Sequence, residues 1–370
     1  MNVLVTGGAG FIGSHTVDLL LTRGHQVRIL DNLVAPVHLG RHIPDYVPAE
    51  AEFILGDVRD RDMVNRALQG VDAVIHLAAY QDYLPDFAKF FHINAVGTAL
   101  LYELIVAHRY PIQKVVVASS QAVYGEGKYL CQRDQVQYPG PRTEAQLRRG
   151  QWELACPVCG GPLEVQRTDE ARVNPHNQYA MSKYTQEMIA LNLGDRYRIP
   201  SVALRFSITQ GPRQSFRNAY SGILRLFTMA LLHQEAPVIY EDGNQLRDYV
   251  NVSDVARGIE LALLDSRADY QALNVGGKDA VRVLDYAAAV AAAVGCDIVP
   301  RIPAEFRLGD TRHIVSDIGR LQALGWQPAV PLQQTIQDYI TWAQAQPTFA
   351  KYYEEATRIM KKLGAVRSVA

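Results

Sequence analysis

The chain has 370 residues, enough for two packed domains rather than one small core. Lys and Arg total 37 against 38 Asp and Glu, a formal net charge of -1 with no Lys/Arg block, so there is no basic field to hold nucleic acid. No leader peptide and no run of about 18 apolar residues is read, and four cysteines in a chain this long make no disulfide framework, so no membrane partner and a cytoplasmic location are expected.

In chain order, short apolar runs alternate with longer amphipathic stretches. Residues 3–5, 27–30, 53–55, 73–76 and 115–118 read as buried strands, and 14–23, 60–69, 94–109 and 178–193 read as helices. That alternation predicts an α/β fold with a parallel sheet covered on both faces. Residues 202–204 add a further strand. Residues 128–172 break the pattern: they are polar, carry Pro and Gly, hold three of the four cysteines and read as an insertion. From about 207 the mixture of short strands and helices suits a smaller mixed α/β domain, and 349–370 read as a charged helix and tail.

The first strand runs into Thr6-Gly7-Gly8-Ala9-Gly10-Phe11-Ile12-Gly13 and then a helix beginning near Ser14. Gly7, Gly10 and Gly13 allow the backbone to approach a pyrophosphate closely, and the helix N-terminus offers N–H groups and partial positive charge. Asp31 ends the second strand 18 residues after Gly13, where a carboxylate accepts ribose hydroxyls and repels a 2′-phosphate. NAD, rather than its phosphorylated form, is therefore the expected cofactor. Asp57 and Val58 follow the third strand and Leu77, Ala78 and Ala79 the fourth, at the carboxyl ends where ligands gather. These residues, with Phe11, Ile12, Asn32 and Asn94, form the expected cofactor set. The expected architecture is a Rossmann-type doubly wound sheet: residues 1–206 as the NAD-binding domain, with 246–276 returning to it, and 207–370 mainly a substrate domain.

Tyr179 and Lys183 stand four apart on a predicted helix and share one face. The pair means little alone among 19 tyrosines, but Ser119-Ser120 closes the strand at 115–118. A tyrosine base working near neutrality needs its pKa lowered by roughly 3 units, about 4 kcal/mol, which an adjacent ammonium and a nicotinium ring together supply.

These pieces resemble the extended short-chain dehydrogenase/reductase family and, within it, the nucleotide-sugar 4-epimerases of the UDP-glucose and dTDP-rhamnose type. The resemblance runs from residue 3 to about 326. It includes Gly56-Asp57-Val58, His76 to Ala79, Ser119 to Gly125, Tyr179 to Lys183, Gly211-Pro212-Arg213, Arg247 to Val250, Asn274 to Gly277 and Arg307 to Asp310. It implies Ser120, Tyr179 and Lys183 as the catalytic triad, and a nucleotide-diphosphate sugar as substrate, with Gln81, Ser120, Arg213, Asn218, Arg247 and Arg307 contacting it. Guanidiniums suit the diphosphate because they grip phosphate oxygens bidentately. A homodimer through surface helices is a family expectation.

Relatives share oxidation at C4 and differ afterwards. By the resemblance, dehydratases place an Asp-Glu pair after the catalytic Ser or Thr; this chain has Gln121 and Ala122, which cannot act as acid or base. Epimerisation at C4 through a transient 4-keto sugar is therefore expected. The alternatives are an oxidoreductase releasing the keto sugar, a 4,6-dehydratase, and a dinucleotide sensor without catalysis. The segment 218–222 and the cysteine insertion particularly resemble the deoxysugar (dTDP-rhamnose type) branch. Ser207-Ile208 replaces an asparagine that relatives place near substrate, and residues 80–83 are also unlike the common epimerase sequence.

Cys156-Pro157-Val158-Cys159-Gly160 has the form of a zinc knuckle, with Cys131 upstream as a third thiolate. Asp134, three residues after Cys131, or His176 completes a structural zinc site; metal-free thiols are the other reading. Cys296, at an alanine-rich helix end, reads as a buried apolar residue.

Overall fold

The β-branched run at 115–117 forms a strand with no solvent on either side, as expected of a sheet sandwiched between helices. The computed structural model describes residues 1–38, 40–82, 84–215, 222–346 and 366–369. The first half contains β1 (Asn2–Thr6), α1 (Phe11–Thr22), β2 (Gln26–Asp31), β3 (Glu52–Leu55), α2 (Arg61–Leu68) and β4 (Ala73–His76). Helix α3 (Phe87–Phe90) passes through a π-helical turn at Phe91–Val96 into α4 (Gly97–His108), and β5 (Lys114–Ser120) follows. The insertion supplies β6 (Tyr129–Cys131), β7 (Gln135–Gln137), α5 (Glu144–Arg148) and β8 (Glu164–Val165). Then come α6 (Gln178–Tyr197), β9 (Ser201–Phe206), β10 (Ile208–Gln210), α7 (Gly222–Leu232), β11 (Leu246–Arg247), β12 (Tyr249–Asn251), α8 (Val252–Leu264) and β13 (Gln271–Val275). The last elements are β14 (Val281–Arg282), α9 (Val283–Val294), β15 (Glu305–Arg307), α10 (Gly319–Ala323), α11 (Leu332–Gln344) and β16 (Val366–Ser368).

Seven parallel strands form the central sheet in the order β3-β2-β1-β4-β5-β9-β13. This is the doubly wound arrangement, and its strand order reverses between β1 and β4. Register is fixed at the centre by Val5, which pairs with Ile29 on one side and Ile75 on the other. One apolar cluster fills the face under α1 and α8, with Val17, Leu20, Val255 and Ile259 against Val5 and Ile75. A second lies under α2, α4 and α6, around Leu4, Val74 and Val117. A third, separate cluster gathers Leu224, Phe227, Tyr286, Ile336 and Tyr339 from α7, α9 and α11. The insertion is its own antiparallel sheet, ordered β7-β6-β8.

Two sequence expectations change. The stretch Phe87–His108 is a continuous helix of 22 residues, long and apolar enough to cross a membrane by length and composition, although no such run was read from the sequence. Half of its apolar window is buried inside the fold, which accounts for that composition. Of the expected charged tail, 366–368 form a strand antiparallel to β15, while most of the remainder lies outside the described residues.

Candidate active site

A cavity of about 1100 Å³ opens along the carboxyl ends of the parallel strands. Its floor begins at the glycine turn. Gly7 has φ +71, and a Cβ there would stand 2.7 Å from the Ala78 amide. A Cβ on Gly13 would collide with the Gly7 carbonyl, so α1 can approach β1 this closely only as glycine. Helix α1 starts at Gly10 with no side-chain cap and no acidic residue in its first turn, so its leading N–H groups remain for an anion.

Asp31 sits at the end of β2 on the cavity wall. Its Oδ2 accepts from the Ala9 amide (3.1 Å) and Oδ1 from the Leu33 amide (2.9 Å), tying the glycine turn to β2. Asp57 accepts from Asn32 Nδ2 (2.9 Å) and from Arg59 Nε and Nη2 (both 2.8 Å), and these bonds lower its pKa to about 2. A glycine cradle that no side chain could share, an uncapped helix start and an aspartate at the second strand's tip fit a dinucleotide diphosphate and ribose.

Asn177 caps α6 by accepting from the Ala180 amide (2.8 Å), which sets the first turn carrying Tyr179; Lys183 follows one turn on. Ser120 is the last residue of β5, and its Oγ accepts from the Ala122 amide (3.2 Å). Ser120, Tyr179 and Lys183 all line the cavity. Burial pushes the Tyr179 phenol up to about 12, with a hydrogen bond to Ser120 acting against that rise. Burial also brings the Lys183 ammonium down to about 7, opposed by the Glu187 charge, and its Nζ donates to Gln186 Oε1. In the chain alone, removal from water sets the Tyr179 phenol, and the lowering expected of ammonium and nicotinium ring together belongs to the cofactor-bound state. Beneath them Ser119 donates to Glu187 (2.8 Å), which pairs with buried Arg205 (3.0 Å).

The structure brings Gly7, Gly10, Phe11, Ile12, Gly13, Asp31, Asn32, Asp57, Val58, Leu77, Ala78, Ala79 and Gln81 to this one cavity, which Arg247 and Arg307 also line. Arg247 donates to the carbonyls of Leu246 (2.9 Å), Arg312 (2.9 Å) and Thr311 (2.6 Å), and Arg307 pairs with Asp310 (2.8 Å) over the Tyr240 ring. Asn94 is placed elsewhere. Its amide bridges the Tyr80 backbone, accepting at 2.7 Å and donating at 3.0 Å, and donates to Ser182 (2.9 Å), so it shapes the cavity wall from behind rather than lining it. Arg213 is also off the lining: it pairs with Asp18 on α1 (2.7 Å) and stacks on Tyr46. Asn218 lies outside the described residues.

Glu126 on the wall was not anticipated. Burial raises its pKa, the Arg142 charge opposes that rise, and Oε2 accepts the Arg312 amide (2.7 Å). Its place directly after Gly125, where the core strand leads into the insertion, was the available signal. Ser207, one of the two unusual residues, donates to buried Asp248 (2.6 Å), and its neighbour Ile208 faces the cavity.

The model of the NAD dependent epimerase/dehydratase family matches residues 3–144 and 155–276, leaving a gap inside the insertion. A dTDP-L-rhamnose 4-epimerase of Burkholderia thailandensis is 33% identical over 346 residues, 92% of this chain and 94% of that protein. A UDP-glucose 4-epimerase of Neisseria meningitidis is 30% identical, over 94% of this chain and 98% of its own. Among solved structures, UDP-glucose 4-epimerase of Thermotoga maritima with UDP-glucose has a TM-score of 0.76 at 27% identity, covering 93% of this chain and 99% of that one. UDP-glucose 4-epimerase of Thermus thermophilus in complex with NAD has a TM-score of 0.71 at 30% identity, with coverage of 93% and 99%. Sheet order, glycine cradle and family match agree, and the chain belongs to the NAD dependent epimerase/dehydratase family.

Proposed function

We propose that this chain is an NAD-dependent isomerase that inverts C4 of a nucleotide-activated hexose through a transient 4-keto sugar. The observation that carries the reading is the meeting of Ser120, Tyr179 and Lys183 on the wall of the cavity that also holds the glycine turn and Asp31. The named epimerases covering almost the whole chain support it.

In this reading Gly7, Gly10 and Gly13 hold the dinucleotide diphosphate and Asp31 the adenosine ribose. NAD, when bound, supplies the hydride acceptor and a positive ring that favours a tyrosinate. Tyr179 takes the proton of the 4-hydroxyl as C4 is oxidised and returns it after reduction. Lys183, in its protonated form, stabilises the phenolate one turn away, and Ser120 orients the sugar oxygen. Arg247 and Arg307 receive the nucleotide diphosphate, and Gln81 faces the sugar. Gln121 and Ala122 give no acid or base for eliminating water, so the keto sugar has no outlet by dehydration. Inversion needs only that the sugar present its other face.

The reading extends to the rest of the molecule. Residues 1–206 with 246–276 serve the cofactor, and the third apolar cluster anchors the substrate side. A structural zinc ion is held by Cys131, Asp134, Cys156 and Cys159, and four cysteines without a disulfide suit a reducing cytoplasm. Exposed Phe87, Val96, Met181 and Met188, on helices packed against one another, support a homodimer.

The test is incubation of the purified protein with a panel of UDP- and dTDP-hexoses, read by NMR. The expected product is a C4 epimer with no accumulation of NADH, and Tyr179→Phe lowers turnover at least a hundredfold. Release of a keto sugar with stoichiometric NADH, or full turnover by Tyr179→Phe, overturns the reading.

A further inference from the structure

The cysteine insertion holds two tight turns face to face. Cys131 ends β6, and Asp134 follows in the turn to β7. Cys156 and Cys159 sit in a second turn closed by the Cys156 amide to Gly161 (2.8 Å) and the Gly160 amide to Cys156 (2.9 Å). The four ligand atoms lie within 4.8 Å of one another. Cys131 and Cys159 sulfurs are 3.6 Å apart, and Asp134 Oδ2 is 3.4 Å from Cys131 Sγ and 3.2 Å from Cys156 Sγ. A disulfide needs about 2.05 Å. A tetrahedron with metal–sulfur distances of about 2.3 Å has edges of about 3.8 Å, close to the spacing observed. Three sulfurs and one oxygen in that shape fit zinc, and four protein ligands leave no open position for catalysis. His176, the other candidate for fourth ligand, lines the cavity instead.

The same turn reaches the substrate wall. Glu153, three residues before Cys156, accepts from Arg312 Nε (3.0 Å) and bonds His313 Nε2 (3.1 Å). Arg142, also of the insertion, donates to the Asp310 carbonyl (2.8 Å) and to Glu241 (2.8 Å), and Trp152 packs near Phe306. The segment 306–313 so gripped carries Arg307 and supplies two of the carbonyls that orient Arg247. Glu153 falls in the stretch that the family model omits.

We propose that the zinc-stapled insertion is a positioning device for nucleotide-diphosphate binding: the ion fixes the Glu153 turn, which fixes segment 306–313 and through it Arg247 and Arg307. This rests on the reading of those arginines as diphosphate ligands. Removal of the ion then weakens substrate binding and leaves the Ser120–Tyr179–Lys183 chemistry in place.

Metal content of tag-free protein by mass spectrometry tests the first link, with one zinc per chain expected. Cobalt substitution is expected to give the thiolate charge-transfer absorption of a tetrahedral sulfur site. Asp134→Cys keeps the metal, whereas Cys156→Ser loses it. Protein without bound zinc that takes up neither added Zn²⁺ nor Co²⁺, or that carries iron instead, overturns the site. For the second link, Glu153→Gln is expected to retain one zinc, to raise KM for the nucleotide sugar and Kd for UDP or dTDP on the order of tenfold, and to keep kcat within about twofold. Unchanged Kd and KM in that variant, or an equal fall in kcat, overturns the positioning role. UDP and dTDP binding by calorimetry needs no turnover, so it separates failure of this inference from failure of the epimerase reading. Should Cys156→Ser not fold, chelation of zinc from the folded wild type with the same two binding measurements takes its place.

Discussion

Lys183 shows what a single residue loses when it leaves water. Its folded pKa of about 7 stands well below the ordinary 10.5 because burial disfavours the charge. Between these values the unfolded chain binds a proton that the cofactor-free native chain does not, so stability rises with pH from about 7 to 10.5 and is flat below. Cofactor-free protein should therefore lose about 2–3 kcal/mol more than Lys183→Met as the pH falls from 9 to 7, measured by urea unfolding. Parallel curves for the two proteins would reject this account of the site. The sequence named Ser120, Tyr179 and Lys183 and their spacing, but it could not weigh desolvation against a neighbouring charge, because burial depth belongs to the fold. Asn94 and Arg213 stand off the cavity lining for a related reason. Their types suit ligands, yet the Tyr80 backbone claims one and Asp18 the other.

At the scale of elements, the glycine turn was the most legible feature, since strand, turn and helix each leave a local mark. Its tolerance is narrow: a methyl group on Gly13 meets the backbone of Gly7 and Gly8, which cannot swing aside as a flexible side chain would. Gly13→Ala is expected to weaken NAD binding at least about tenfold by calorimetry, about 1.4 kcal/mol, while Gly140→Ala, with open space around it, leaves affinity unchanged. Equal affinities in both would remove the cradle from the argument. The tie between β9 and α6 was illegible, because Arg205 and Glu187 are 18 residues apart and neither stands in a motif. Both are buried, and Arg205 also donates to Tyr124 Oη (2.9 Å). Glu187→Ala strands the guanidinium in the core and should cost about 3–5 kcal/mol in denaturant unfolding. A cost below about 1 kcal/mol would mean that water reaches Arg205 in the native state.

For the molecule as a whole, the parallel sheet could be read from alternation, because β1, β3 and β4 are apolar runs each followed by a helix. Strand β13 was legible only through the motif at Asn274, and the pairing of β16 with β15 had no signal, as it joins segments some 60 residues apart. The apolar composition of Phe87–His108 was less legible for the opposite reason: a few polar residues interrupt a stretch of which the fold buries half.

Arg312 carries a consequence for how such a loop can be exchanged between proteins. Its guanidinium is enclosed by Glu153 from the insertion and by Glu241 and Asp242 from the substrate side. Excising residues 128–172, or grafting a shorter connection from a relative, would strip that cation of the Glu153 part of its counter-charge and uncover it. The appendage and the wall it touches therefore have to be swapped together, as a matched pair.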